Sequence, residues 1–171
     1  MVGPIPAKWG RIGICYRREE AAYPASWLYD RLVDHFGGAH VVKDIDAIEL
    51  CDDVPDVIAN AVGSCDVLLA LIGDQWLTIT DAQGRRRLEN PDDFVRLELE
   101  AALTRNVRLI PVLVNGASMP EPADLPASLV NLVGGPALVL SPGRFAVDTS
   151  RLLKVLETTL AEEPGALDRE P

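Results

Sequence analysis

Asp66-Val67-Leu68-Leu69-Ala70-Leu71-Ile72, residues 66–72, is apolar at every position after the first and is followed by Gly73. An apolar run of this length that ends at a glycine is typical of a parallel strand covered on both faces. Such a strand lies in the middle of a sheet, so the rest of the chain must supply neighbouring strands and two layers of helices.

Four more segments have strand-like apolar patterns, and helical spacing occurs between them. These predicted strands are residues 11–16, 40–44, 107–114 and 137–140, although Pro111 is unusual inside a strand. The predicted helices are residues 25–36, 54–63, 90–105, 128–133 (weakly) and 148–160. Strands alternating with helices predict an α/β flavodoxin-like three-layer fold, with a five-stranded parallel sheet in the order 2-1-3-4-5.

Composition places the chain among globular proteins with one core. It has 171 residues, 48% of them hydrophobic, and a formal net charge of -10. We expect a flexible N-terminal arm at residues 1–10, one domain at 11–161, and an acidic C-terminal tail or linker at 162–171. The sequence lacks an apolar run of the ~20 residues that span a bilayer and lacks a signal peptide pattern, so we expect cytoplasmic localisation without membrane contact.

The charge balance argues against direct nucleic-acid binding, since 26 acidic residues oppose 16 basic ones. The one dense basic run, Arg85-Arg86-Arg87 beside Gly84, is predicted to be a solvated loop tip. The three cysteines show no paired spacing and are expected to be reduced thiols. The two histidines are poorly placed for a metal site, and none is predicted.

Common catalytic signatures are missing from the sequence. It has no glycine-rich dinucleotide or phosphate loop after a strand, no nucleophile elbow and no zinc-protease helix motif. A phosphorelay receiver domain would share the fold, but it needs acidic residues after the first strand, an aspartate after the third and a lysine after the fifth. Those places hold Tyr16-Arg17-Arg18, Gly73 and Ser141-Pro142-Gly143.

Residues 90–103 carry the clearest helix pattern and the leading candidate for chemistry. Asn90 is predicted to cap the helix, Pro91 to take its first position, and Asp92-Asp93 to complement its dipole. An inward-packed face is predicted for Phe94, Val95, Leu97, Leu99 and Ala101. Glu98 follows Phe94 by one turn, and from this window alone it is interpreted as an ordinary solvated glutamate.

A basic pair follows the first strand. Arg17 and Arg18 come directly after residues 11–16, and in open α/β sheets ligands bind beyond the carboxyl ends of the strands. The pair is therefore placed where an anion would be bound.

Several ordered blocks together resemble a Toll/interleukin-1 receptor (TIR) domain of the bacterial kind over about residues 11–160. Ile14-Cys15-Tyr16-Arg17-Arg18-Glu19 resembles the family's first box, and residues 44–49 resemble its second box and the entry to its BB loop. Residues 63–73 with Trp76 resemble its third-strand block, and Phe94-Val95-Arg96-Leu97-Glu98 resembles the helix that carries the catalytic glutamate in NAD⁺-cleaving members.

The resemblance implies an NAD⁺ glycohydrolase or ADP-ribosyl cyclase that takes NAD⁺ as substrate, needs no cofactor and is activated by self-assembly, in signalling or antiphage defence. It makes Glu98 the catalytic carboxylate and Phe94 the aromatic that stacks on a base or nicotinamide. Tyr16, Arg17 and Arg18 would line the pocket mouth, with both arginines offsetting the diphosphate. Asp44 and Glu49 are second-rank site candidates.

Departures from the family pattern, above all the altered loop at residues 49–54, keep a second interpretation open. Cys15 replaces a serine, and Leu50-Cys51 replaces the usual proline and glycine of the BB loop. The alternative is a non-enzymatic module that signals through TIR–TIR contacts. In that case Arg17 and Arg18 would only form ion pairs with Glu19, Glu20 or a partner.

Overall fold

The computed structural model describes residues 10–43 and 54–162. The strands are β1 (Ile12–Cys15), β2 (Val41–Val42), β3 (Val67–Ile72), β4 (Arg108–Leu113) and β5 (Leu138–Val139). The helices are α1 (Arg18–Phe36), α2 (Val54–Gly63), α3 (Phe94–Thr104) and α4 (Phe145–Glu162). All strand pairs are parallel and the order is β2-β1-β3-β4-β5, which confirms the predicted topology.

The central strand β3 is buried along its whole length, as its apolar run predicts. Val67, Leu69 and Leu71 face the core under α1 and α4. The alternate residues Leu68, Ala70 and Ile72 face a second core under α2 and α3. Because side chains of a strand alternate between the two faces, one apolar run serves both helical layers.

Pro111 fits inside β4 because its backbone nitrogen faces the side of the strand that has no pairing partner at this position. The backbone N–H groups of Arg108 and Val114 donate to the carbonyls of Asp66 and Ile72 on the β3 side. Because N–H groups along a strand point alternately to its two sides, the nitrogen of Pro111, three residues from each of these, points toward β5. There, pairing with β5 begins only at Val112. The missing N–H of proline therefore removes no ladder hydrogen bond.

The first helix begins at Arg18 rather than at the predicted Ala25. Its backbone is non-helical at Ala21, with φ -124° and ψ 15°, so Pro24 lies in the first turn after a kink. Proline is tolerated there because first-turn N–H groups have no intrahelical acceptor. The carbonyl of Glu20 accepts instead from the side-chain amide of Asn115 at 2.8 Å.

Two other predicted helix starts were wrong by three residues or more. Helix α3 begins at Phe94 with Asp93 as its cap, while the side chain of Asn90 accepts from the N–H of Asp92 at 3.0 Å in a local turn. Helix α4 begins at Phe145 instead of Asp148. The carboxylate of Asp148 accepts from the N–H of Ser141 at 2.9 Å and so binds the segment before the helix.

Candidate functional site

A buried ion pair joins the exit of β1 to the start of α3. The two terminal nitrogens of Arg17 donate to the two carboxylate oxygens of Asp93 at 3.0 and 2.9 Å. The Arg17 side chain is 2% exposed and that of Asp93 is 10% exposed. A two-pronged contact of this kind fixes the direction of both side chains as well as their distance.

Asp93 is also the N-cap of α3, accepting from the N–H of Arg96 at 3.1 Å. One carboxylate therefore holds the helix start and the strand exit together. The Nε of Arg17 is buried and has no hydrogen-bond partner among the described residues. The prediction that Arg17 offsets a bound diphosphate gains no support, because its guanidinium is enclosed and already paired. The alternative of ion pairs with Glu19 or Glu20 also differs from the observed partner.

Glu98 lies one turn further along α3 and is 4% exposed, so its interpretation as a solvated glutamate was wrong. It shares the buried face of the helix with Val95, Leu99 and Ala102. Burial raises the pKa of the Cys65 thiol, and the negative charge of Glu98 acts in the same direction. The carboxylate therefore lies inside the domain, within electrostatic reach of the chain segment that leads from α2 into β3.

Phe94, the first residue of α3, lies one turn before Glu98 and is open to solvent. It is 47% exposed, which corrects its predicted place on the inward-packed face. An open pocket of about 130 Å³ lies beside it. The pocket is lined by Tyr16, Arg17, Arg18, Glu19, Arg87, Asp93, Phe94 and Val95.

Four of the residues singled out from the sequence thus lie around one pocket, namely Tyr16, Arg17, Arg18 and Phe94. Glu98 belongs to the same helix and is buried, but it does not line this pocket. Asp44 and Glu49 lie outside the described residues, as do Leu50 and Cys51 of the altered loop.

Arg87 is the pocket residue that sequence reasoning missed. It belongs to the run predicted to be a solvated tip, and that prediction holds for Arg85, whose side chain is 67% exposed. Arg87 instead turns to the pocket and forms an ion pair with Glu19. The available signal was a dense basic run, in a strongly acidic chain, shortly before the helix that carries Glu98.

The crevice between β1 and β3, where doubly wound folds commonly bind ligands, is occupied by the chain itself. The carboxylate of Glu20 accepts from the backbone N–H groups of Gly73 at 3.2 Å and Gln75 at 2.8 Å. Burial raises the pKa of Glu20, although the two N–H donors act against this. An anionic ligand would meet a carboxylate here, so the pocket beside Phe94 suits an anion better.

A larger cavity of about 300 Å³ lies between β4, β5 and α4. It is lined by residues such as Arg108, the first residue of β4, and therefore extends away from the carboxyl edge of the sheet. None of its lining residues carries a carboxylate or a nucleophile of unusual environment. Its size follows from the shortness of β5, which leaves the first half of β4 unpaired on the side away from β3.

Within residues 10–43 and 54–162, no cluster of three or more histidine, cysteine, aspartate or glutamate side chains could hold a metal ion. In the same described ranges, no helix is long and apolar enough to cross a bilayer. Cys15 and Cys65 are buried free thiols, while Cys51 lies outside those ranges.

The fold and this arrangement define a class: a doubly wound α/β domain with a buried acid on the helix after β3 and a basic pocket at the exit of β1. The family model described as TIR domain matches residues 12–135. The chain belongs to the TIR domain family. The comparison with curated protein sequences gives no significant match.

Solved structures show the same architecture at low identity. The TIR domains of the activated Roq1 resistosome, which recognises the pathogen effector XopQ, match at 11% identity and a TM-score of 0.61. That match covers 86% of this chain and 99% of the other. A prokaryotic SEFIR domain matches at 12% identity and a TM-score of 0.55, covering 86% of this chain and 98% of the other. At these identities the likeness concerns the fold alone.

Proposed function

We propose that this TIR domain cleaves the nicotinamide–ribose bond of NAD⁺, with Glu98 as the catalytic carboxylate. The observation that carries the proposal is the burial of Glu98, 4% exposed, one turn below an exposed aromatic at the mouth of a basic pocket. Glutamate is rarely enclosed for packing alone, and buried acids beside a cleft are frequent at functional sites.

The chemistry requires little beyond one well-placed negative charge. Departure of neutral nicotinamide leaves an oxocarbenium-like cation at the ribose, which a nearby carboxylate stabilises more strongly in a water-poor site. The same carboxylate can direct either water or an adenine nitrogen to the anomeric carbon. Water gives ADP-ribose, and the adenine nitrogen gives a cyclic product.

The pocket residues have separate roles in this proposal. Phe94 stacks on the nicotinamide or adenine ring, and Tyr16 and Arg18 line the mouth. Asp44 and Glu49, which lie outside the described residues, stay second-rank candidates. Arg17 is assigned a positioning role, since its guanidinium binds Asp93.

Replacing Glu98 tests the proposal. Glu98→Gln keeps the side-chain volume and removes the charge, and we expect nicotinamide release from NAD⁺ to fall at least about 100-fold. Glu100→Gln is the matched control, because Glu100 is two residues away on the same helix and pairs with Arg96 at 2.6 Å on the surface side. Unchanged turnover by a folded Glu98→Gln variant refutes the assignment, and chromatography of the products separates ADP-ribose from a cyclic form.

A second candidate is a non-enzymatic module that assembles through TIR–TIR contacts. It is favoured by an exposed aromatic group on α1, where Tyr23 is 77% and Trp27 51% exposed. Trp27 packs edge-on against Phe145 of α4, with ring centroids 5.8 Å apart. The two candidates differ in a concentration series of purified protein: the enzyme consumes NAD⁺ with a specific activity that rises on assembly, whereas the module assembles without consuming it.

Self-association and a role in signalling or antiphage defence in the cytoplasm complete the proposal. They rest on family membership and on the exposed aromatic group. Light scattering of the wild type and of Trp27→Ser over the same concentration range measures the contribution of that group.

A further inference from the structure

The pocket beside Phe94 contains one more cation that can reach a ligand, and it comes from the loop before α3. Three arginines and two carboxylates line the pocket, in a chain whose net charge is -10. Arg17 is enclosed and paired with Asp93. The cations that face the open side are therefore Arg18, which is exposed, and Arg87, whose side chain is 34% exposed.

The backbone of Arg87 is held firmly, although its side chain reaches the rim. Its N–H donates to the carbonyl of Ile79 at 2.9 Å. The next residue, Leu88, is 1% exposed and packs in the core. The preceding residue, Arg86, pairs with Glu89 and donates to the carbonyl of Asp124 at 3.0 Å. A guanidinium on such an anchored backbone is positioned before a ligand arrives, which lowers the entropy lost on binding.

Arg87 has a partner that a phosphate can replace. Its ion pair with Glu19 lies at the surface, with side chains 34% and 49% exposed. Exposed pairs of this kind contribute little, whereas two-pronged contacts of arginine with phosphate are among the stronger hydrogen bonds. Burial raises the pKa of Glu19, but the hydrogen bond and charge of Arg87 outweigh this and leave the pKa lowered. Glu19 is thus ionised at neutral pH and occupies Arg87 whenever the pocket is empty.

We infer that Arg87, together with Arg18, binds the diphosphate group of a dinucleotide in this pocket, and that Glu19 is the internal counter-ion that the diphosphate displaces. The identity of the dinucleotide as NAD⁺ rests on the proposed function. The diphosphate site itself rests on the pocket geometry.

Equilibrium binding tests the inference without turnover. Isothermal titration of NAD⁺ and of inorganic pyrophosphate is performed on Glu98→Gln protein, with each further substitution added to that background. We expect Arg87→Ala to weaken both ligands about tenfold or more, which is the loss of one charge-assisted hydrogen bond. Arg87→Lys keeps the charge but loses the planar guanidinium that can make a two-pronged contact. Its affinity for both ligands should therefore lie between that of the protein with Arg87 and that of Arg87→Ala.

Replacing Glu19, the partner of Arg87, should strengthen ligand binding instead of weakening it. Glu19→Gln removes the competitor, and we expect it to tighten both ligands about two- to five-fold. This gain should shrink in the Arg87→Ala background. Arg85→Ala is the matched control from the same run, because Arg85 pairs with Asp81 and does not line the pocket. It should change binding less than about two-fold.

Equal binding by the Arg87→Ala and Arg85→Ala variants, with melting temperatures within about 4 °C of each other, would overturn the inference. Weaker binding by Glu19→Gln would also overturn it. Binding of pyrophosphate through Arg87 without binding of NAD⁺ supports the diphosphate site and refutes the proposed function, so the two failures are distinguishable. Loss of turnover in Glu98→Gln with unchanged binding in Arg87→Ala supports the proposed function and refutes the diphosphate site at Arg87.

Discussion

The Arg17–Asp93 pair predicts an unusual order of stabilities among its variants. Asp93→Asn removes the negative charge and one of the two acceptor oxygens, so the two-pronged contact with Arg17 is reduced to a single hydrogen bond. The guanidinium of Arg17, with its side chain 2% exposed, is then buried without a counter-charge. Breaking a buried pair in this way costs about 3–5 kcal/mol. For a domain of this size that corresponds to a melting temperature lower by about 6–20 °C.

Replacing Arg17 alone should lower the free energy of unfolding less than Asp93→Asn does. Replacing both residues should lower it least. In Arg17→Met, Asp93 remains at the N-terminus of α3, where the helix dipole favours its charge and it still caps the helix. In the double variant Arg17→Met/Asp93→Asn no charge is buried, and Met fills part of the arginine stem. We expect the double variant within about 2 kcal/mol of the wild type, and thus more stable than Asp93→Asn alone.

Denaturant unfolding followed by circular dichroism, with the free energy extrapolated to water, measures all four proteins. The matched control is Glu100→Gln, which breaks the Arg96–Glu100 pair on the same helix, with side chains 16% and 32% exposed. Such a partly exposed pair should cost less than about 1 kcal/mol. A cost of Asp93→Asn no greater than that of Glu100→Gln, or a double variant less stable than either single variant, would contradict a stabilising role of the buried pair.

Two further predictions concern Glu20, in the crevice between β1 and β3, and Phe94, at the pocket. The raised pKa of Glu20 means that its contribution to stability is fully present below its unfolded pKa, ordinarily near 4.5, and is lost as the pH rises through the folded value. The unfolding free energy of the wild type minus that of Glu20→Gln should therefore decrease over that rise, and a flat or increasing difference would contradict the burial argument. Phe94→Ala should lower stability by only about 1 kcal/mol, because the ring is 47% exposed, yet raise the KM for NAD⁺ about tenfold as a stacking surface is lost. Phe94→Trp should leave both the stability and the KM for NAD⁺ close to those of the wild type. An unchanged KM for Phe94→Ala would remove the stacking role.

The sheet order was predictable because its signal is strong and local. The apolar run of β3 and the alternation of strands with helices each depend on short stretches, and together they indicated the order 2-1-3-4-5. The short edge strands were less predictable. Strands β2 and β5, at the two edges of the sheet, have two residues each and are shorter than the apolar segments that predicted them.

Helix starts were less predictable because several capping residues compete within a few positions. Asn90, Asp92 and Asp93 can all cap a helix, and the choice of Asp93 depends on Arg17, which is 76 residues away in the chain. A contact at that separation leaves no local pattern. For the same reason, the sequence indicated a basic pair at the exit of β1 but not that Arg17 would be enclosed while Arg87 reached the pocket.

The enclosure of Arg17 also decides how variants of the site should be interpreted. Asp93 joins the exit of β1 to the helix that carries Glu98, so under the proposed function we expect its replacement to displace Phe94 and Glu98 together and to lower kcat. If the double variant Arg17→Met/Asp93→Asn regains both stability and kcat, the pair acts by positioning. If stability returns and kcat does not, the charge of Arg17 or Asp93 takes part in the reaction itself. The two readouts together separate a residue that places the acid from one that assists it.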